Sequence, residues 1–283
     1  MLGSSVFREL SQRPGLAVTG TARSAAVRRS FPGVSDERII CGIDVLDSDA
    51  LVLAVAQARP NVVINCIGLV KQLQNAADPL VALPINALLP HRLARLCRVA
   101  GSRLVHISTD CVFSGELGSY REQDQPDARD LYGMSKYIGE LRDQRHAITL
   151  RTSIIGHELN SAHGLVDWFL SQNGSIRGYR KAIFSGLPTV ELAHVIADRV
   201  LPDPSLWGLY HVSSEAIDKF RLLSLVRDEY QKDIEIVPDD ELVIDRSLDS
   251  SRFRHVSGYV PPAWPALVEK MHSNYLRWTK DVS

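Results

Sequence analysis

The chain reads as an α/β fold: a doubly wound parallel sheet covered by helices, with a smaller mixed α/β lobe towards the carboxyl end. Three observations carry that reading. Short β-rich runs alternate with longer amphipathic ones through about the first 150 residues. Several of the short runs are apolar on consecutive positions, which suits strands buried on both faces. Past residue 152 the texture changes to loops rich in Gly and Pro.

Taken in order, Val6, Phe7 and Leu10 make a helical stripe ending near Pro14. Strands are expected at LAVTGTA (16–22), RIICGI (38–43), NVVINCIG (61–68), SRLVHIST (102–109) and AITLRT (147–152). Asp47 or Ser48 caps a helix through DSDALVLAVAQARP. Leu89, Leu93, Leu96, Cys97 and Ala100 form the stripe of the next crossover helix, which Gly101 ends. The lobe holds helices near 164–173 and across TVELAHVIADRVL, a strand near 181–185, and a closing helix after PPAWP. We place the boundary at 1–152 and 153–283; with no Ser/Gly or charged linker, the lobe is interleaved with the sheet.

Composition narrows the function. Of 283 residues 45% are hydrophobic, enough for a substantial core. The 32 basic and 33 acidic side chains nearly cancel, and no block of like charge marks a nucleic-acid or membrane surface. No apolar run approaches the roughly 18 residues of a membrane span, and MLGSSVFREL lacks the features of a signal peptide. Cys41, Cys66, Cys97 and Cys111 have spacings that suit neither zinc nor a disulfide scaffold, so they read as reduced core residues. No metal site is expected, since His157 and Glu158 form no HExxH, and no phosphate-binding GxxxxGK[ST] occurs. A cytoplasmic protein acting on a small molecule is the expectation, with self-association left open.

The chemistry concentrates in YGMSK, where a helix sets Tyr132 and Lys136 on one face. By itself this spacing also fits an exposed helical pair. Upstream, HISTDCVFSG reads as an apolar strand delivering Ser108 and Thr109 to the carboxyl edge of the sheet, where such folds bind ligands. Reducing a ketone requires a hydride donor and an acid for the developing alkoxide. A Tyr can be that acid if a neighbouring Lys ammonium lowers its pKa, and Thr109 can hold the carbonyl. His106, inside the same strand, reads as a hydrogen-bonded core residue.

These residues bring the chain close to a known family. STDCVFSG followed by SYREQDQPDARDLYGMSKYIGE resembles the signature of the extended short-chain dehydrogenase/reductases, in their dTDP-4-dehydrorhamnose reductase branch: STDYVFDG, then Y-x-E-x-D and YG-x-SK-x-x-GE. Tyr120, Glu122, Asp124, Tyr132, Gly133, Ser135, Lys136, Gly139 and Glu140 match in order. NVVINCIG, Asn86, LRTSIIG, LDSSRF and PPAWPALVEKM extend the likeness over nearly the whole chain. Cys111 stands in place of the usual Tyr, Ser114 in place of an Asp, and Pro126 comes four residues early; the first two alter the substrate-side lining.

The resemblance implies a Rossmann-type sheet, a nicotinamide cofactor and a nucleotide-sugar substrate. Thr109, Tyr132 and Lys136 take the catalytic places. Gly3, Arg23, Asp44, Asn65, Gly68 and Lys136 take the cofactor-binding ones; Ser108, Asp110, Cys111, Trp168 and Arg180 lie on the substrate side. Arg23, with Arg28 or Arg29, sits where a base reads a 2′-phosphate, favouring NADP over NAD, although a solvated basic turn reads the same way. Asp44 resembles an adenine contact and equally suits a helix cap. Trp168, Tyr179 and Arg180 could stack on a base and pair with phosphates, or simply pack lobe to sheet. Members of the family open with a strand and G-x-x-G-x-x-G. Gly3 matches only the last glycine, so the expectation is a missing first strand, with Met1 internal to that turn.

The activity implied is NAD(P)H-dependent reduction of a nucleotide-linked 4-keto-6-deoxy sugar, feeding cell-surface polysaccharide synthesis. Two alternatives remain. A dehydratase or epimerase of the same fold is one, weakened because dehydratases carry Asp-Glu after the Thr where this chain has Asp110-Cys111. A non-catalytic binding homologue, like the regulatory β subunit of methionine adenosyltransferase, is the other.

Overall fold

The structure, a computed structural model, describes residues 1–70, 77–159 and 161–280. Helix α1 (Leu2–Ser11), strands β1 (Gly20–Ala22) and β2 (Ile39–Cys41), helix α2 (Ser48–Ala58) and strand β3 (Val62–Asn65) come first. Helices α3 (Pro79–Ala82) and α4 (Leu89–Ala100), joined through a wider π-type stretch at Leu83–Leu88, lead to β4 (Arg103–Thr109). Helix α5 (Leu131–Ile138) leads to β5 (Ala147–Thr152). Beyond lie β6 (Ile154–Ile155), α6 (Leu165–Ser171), β7 (Ser175–Tyr179), β8 (Ala182–Phe184), β9 (Leu187–Pro188), α7 (Thr189–Val195) and β10 (Gly208–His211). The chain finishes with β11 (Ile217–Asp218), α8 (Lys219–Glu229), β12 (Glu235–Asp239), β13 (Ile244–Asp245), α9 (Ser251–Ser257) and α10 (Trp264–Lys280).

Local chemistry sets the ends. Asp47 accepts from the Asp49 and Ala50 amides to start α2, and Gly101, at φ +69°, closes α4 in the left-handed conformation. On α4 Leu89, Leu93 and Cys97 of the expected stripe are buried, whereas Leu96 is half-buried and Ala100, in the last turn, is exposed. Strand β1 is shorter than the expected 16–22: among the described residues Leu16–Thr19 pair with no strand, and the Val18 carbonyl accepts from Arg38 Nε at 3.0 Å.

The parallel sheet comes in two pieces. One has the order β10-β5-β4-β3, the other pairs β1 with β2. Strands β1 and β3 each have one hydrogen-bonded neighbour among the described residues. Helix α1 ties the pieces together: Leu2, Val6 and Leu10 join the main core, while Phe7 packs edge-on against Phe31 at 5.1 Å. Strand β10 comes from beyond residue 152 and pairs with β5, so lobe and sheet share one structure.

Every residue of β5 is buried, so both faces of this strand are covered. Val105, Ile107, Ile148 and Leu150 face the main core. The other face carries a polar row across three strands. Ser108 lies opposite Arg151, and Arg151 opposite His211. Glu140, just past α5, receives the Arg151 guanidinium through two bonds of 2.6 and 2.7 Å and accepts from Ser108 Oγ at 2.9 Å. Among the described residues no helix is long and apolar enough to cross a membrane.

Candidate active site

The site grows from the carboxyl end of β4. Residues on a strand alternate faces, so Thr109 and Ser108 diverge. Ser108 turns to Glu140, which engages its hydroxyl and removes it from the expected substrate side. Thr109 Oγ1 donates to Asp110 Oδ1 at 3.0 Å and accepts from the Cys111 amide at 3.1 Å. The Tyr132 phenol lies near enough to the same hydroxyl to feel it electrostatically.

Helix α5 is seated tightly enough to hold that geometry. Asp130 caps it by accepting from the Gly133 amide at 2.9 Å. Gly133 faces the turn after β4 so closely that a Cβ there would lie 2.3 Å from the Cys111 carbonyl oxygen. One turn on, Lys136 Nζ donates to the Ile107 carbonyl at 2.8 Å. Asn86, on the π-type stretch, accepts from the Leu69 amide at 2.9 Å and donates to Leu69 O and Ser135 Oγ, tying the loop after β3 to α5.

Electrostatics depart from the expectation that Lys136 lowers the Tyr132 pKa. Burial pushes the Tyr132 phenol up and Cys111 adds to this, while the Thr109 hydroxyl opposes it. The phenol therefore stays protonated at neutral pH. Lys136 itself is brought down to about 8 by burial, against the pull of Glu140. Burial also lifts Asp110, with Thr109 and Arg246 acting the other way. The physical reason is that both side chains are enclosed by protein, and desolvation disfavours each charged form.

Among the expected cofactor residues, Asn65 ends β3 buried, donating to His106 Nδ1 at 3.1 Å and accepting from the Ile67 amide. A Cβ on Gly68 would lie 3.7 Å from Lys136 Nζ and 3.5 Å from Asn86 Oδ1. Gly3 lies within α1, where a Cβ would be 3.5 Å from that of Cys66. Arg23 follows β1 as an exposed cation, whereas Arg28 is occupied by Asp36 and the Ile39 carbonyl. Asp44 is exposed and accepts from the Leu46 amide, leaving the capping of α2 to Asp47. A nicotinamide cofactor suits this set: the buried Lys136 ammonium has three N–H groups and spends one on Ile107, leaving donors of the kind a ribose diol accepts.

On the lobe side the expectations fare unevenly. Trp168 is half-exposed on α6. Arg180 is exposed and paired with both oxygens of Asp240, at 2.8 and 2.7 Å. Of the four thiols only Cys97 is fully buried, and burial raises Cys66 and Cys111 to about 12. Lys219 and Arg246 were not expected: Arg246 Nη1 donates to Cys111 Sγ at 3.8 Å, and Lys219 at the start of α8 shares an electrostatic interaction with Asp110 and Cys111. No local pattern in the sequence marks either one.

Comparison with known proteins agrees with this geometry. A family model described as the RmlD substrate binding domain matches residues 1–276. Over 99 residues the chain is 38% identical to dTDP-4-dehydrorhamnose reductase of Streptomyces griseus, a stretch covering 35% of this chain and 33% of that protein. Methionine adenosyltransferase 2 subunit beta of Bos taurus aligns at 24% identity over 100% of this chain and 88% of its own length. The crystal structure of dTDP-4-dehydrorhamnose reductase from Bacillus anthracis in complex with NADP superposes with a TM-score of 0.71 at 21% identity, covering 90% of this chain and 99% of that one. With the family model spanning all but the final residues, on a doubly wound Rossmann-type fold, the chain belongs to the RmlD substrate binding domain family.

Proposed function

We propose that this protein is an NADPH-dependent reductase of a nucleotide-linked 4-keto-6-deoxy sugar, acting in the cytoplasm to supply cell-surface polysaccharide synthesis. The observation that carries the reading is the convergence of Thr109, Tyr132 and Lys136 at the carboxyl end of β4. When bound, the nicotinamide supplies a hydride to the sugar carbonyl. Thr109 and Tyr132 hold the carbonyl oxygen between two hydroxyls, and Tyr132 gives its proton to the oxygen as charge develops there. A raised Tyr132 pKa serves this direction, since the acid is loaded at neutral pH. Lys136, one helical turn away, stabilises the phenolate left behind and offers its free N–H groups to the cofactor ribose. Gly3, Asn65 and Gly68 would hold the cofactor, Arg23 would pair with a 2′-phosphate and Asp44 would serve its adenine. Cys111 and Trp168 would contact the sugar nucleotide.

The test is oxidation of NADPH driven by dTDP-4-dehydrorhamnose, with Tyr132→Phe beside the parent. The variant is expected to keep cofactor affinity within a few-fold and to lose about a hundredfold or more in kcat. Equal turnover would remove Tyr132 from the chemistry. The full-length likeness to a methionine adenosyltransferase subunit favours a second reading, a binding protein; it predicts no turnover in either form.

A further inference from the structure

The three-stranded sheet β11-β8-β13 carries two cations on its flanks: Arg246 reaches Cys111 in the turn that follows Thr109, and Lys219, over Phe184 of β8, is within electrostatic range of Asp110 and Cys111 of the same turn. Asp218 and Asp245 both lie opposite Ile183 of β8, one on each side, and the next residue on each flank is Lys219 or Arg246. The two neighbouring carboxylates are engaged elsewhere, Asp218 also lying 3.5 Å from Arg221 Nε. Asp218 accepts from the Arg221 amide to cap α8, and Asp245 accepts from the Ser247 amide. Neither neutralises the cation beside it.

Lys219 is partly buried, with Nζ 4.1 Å from the centroid of the Phe184 ring. Among the described residues its ammonium has neither a hydrogen bond nor a carboxylate at ion-pair distance. Arg246 donates from Nε to the Phe113 carbonyl at 2.9 Å and from Nη1 to Cys111 Sγ, a weak acceptor. It too lacks a carboxylate at ion-pair distance among the described residues, and its remaining N–H groups are unspent. The contact is rigid: a Cβ on Gly115 would lie 2.5 Å from Ile244 Cγ1 and 3.0 Å from Arg246 Cγ, and the Asp245 amide donates to Gly115 O at 2.8 Å. Two positive groups so placed, one over an aromatic face and the other on a thiol, have donors to give an anion.

We propose that Lys219 and Arg246 form the phosphate-binding end of the substrate site, receiving the phosphate that joins the sugar to its nucleotide. This rests on the nucleotide-sugar reading above. With the carbonyl held by Thr109 and Tyr132, that phosphate hangs one sugar ring away, and the Cys111 turn with its two cations lies beside Thr109. Asp110 sits between the two halves, its hydrogen bond from Thr109 on one side and the field of Arg246 and Lys219 on the other. Arg180, already paired with Asp240, leaves this task to them.

The probe is dTDP, with UDP alongside, measured by titration calorimetry on the parent and on Lys219→Met, Lys219→Arg and Arg246→Met, with thermal melting as the check on folding. Lys219→Met and Arg246→Met are expected to weaken dTDP by about tenfold or more. Lys219→Arg should stay within a few-fold of the parent, and the loss should shrink as salt is raised. If folded Met variants bind dTDP as the parent does, the assignment is overturned while the reductase reading stands. If the parent binds neither nucleotide, the nucleotide-sugar reading falls and the assignment with it.

Discussion

Replacing Lys136 by methionine is expected to stabilise the unliganded protein while abolishing turnover. The side chain is buried, and its ammonium is brought from 10.5 down to about 8, chiefly by burial. That drop corresponds to about 3 kcal/mol of cost to the folded state at neutral pH. Methionine keeps most of the aliphatic stem and removes the charge, but it leaves the Ile107 carbonyl without its donor, a loss of about 1 kcal/mol. The net expectation is a gain of about 2 kcal/mol at pH 7, read as a higher urea midpoint at unchanged slope. The pH dependence has a definite sign. Below about pH 8 lysine is protonated in both states, and the folded state bears the full cost. From there up to 10.5 the unfolded chain binds more protons, so the parent gains stability as pH rises and the variant's advantage fades. Lys219, also brought down to about 8, rises in both proteins and cancels from the difference. A variant less stable than the parent at pH 7, or an advantage that does not change between pH 7 and 10, would refute the reasoning.

Other expectations are as concrete. Arg23→Ala should weaken NADPH more than NADH in direct binding measurements, since only NADPH offers a 2′-phosphate to the guanidinium; equal losses would show that Arg23 does not read it. Gly133→Ala should cost about 1–3 kcal/mol and depress turnover, because the added carbon meets the Cys111 carbonyl at 2.3 Å and the Ala128 Cβ at 2.5 Å. Neither neighbour is a flexible tip. A denaturation midpoint like the parent's would mean that α5 can slide without disturbing Thr109.

What could be read from the sequence follows the range of the interactions involved. Strands β4 and β5, helices α2 and α4 and the stripe of α1 were all expected, because each is written in consecutive residues as period, cap or apolar run. Tyr132 and Lys136 declared themselves for the same reason, one helical turn apart on α5. Long-range pairing was hidden. Arg180 looked like a ligand because its partner, Asp240, lies 60 residues away. Ser108 sits beside Thr109 in the chain, yet the strand turns it to the opposite face and to Glu140. Arg246 reaches Cys111, and Lys219 comes within electrostatic range of it, because β11 and β13 both join β8, a pairing of two-residue strands that leaves no local trace. The Tyr132 pKa moves opposite to the expected direction because of burial, which the sequence does not display.

The polar row of Ser108, Arg151 and His211 beneath Glu140 has a consequence for how the strands find their alignment. In a sheet apolar on both faces, neighbouring strands can slide by a residue pair and still bury hydrocarbon, so apolar content alone specifies register weakly. Here a slip of β5 by one residue would turn Arg151 towards the face of Ile148 and Leu150, leaving a guanidinium among aliphatic side chains and Glu140 with its charge unanswered. A slip by two would keep the face but part Arg151 from Ser108 and His211 together. The pair thus acts as a key cut for one alignment, and that alignment sets Thr109 level with the end of β5, where the catalytic turn begins.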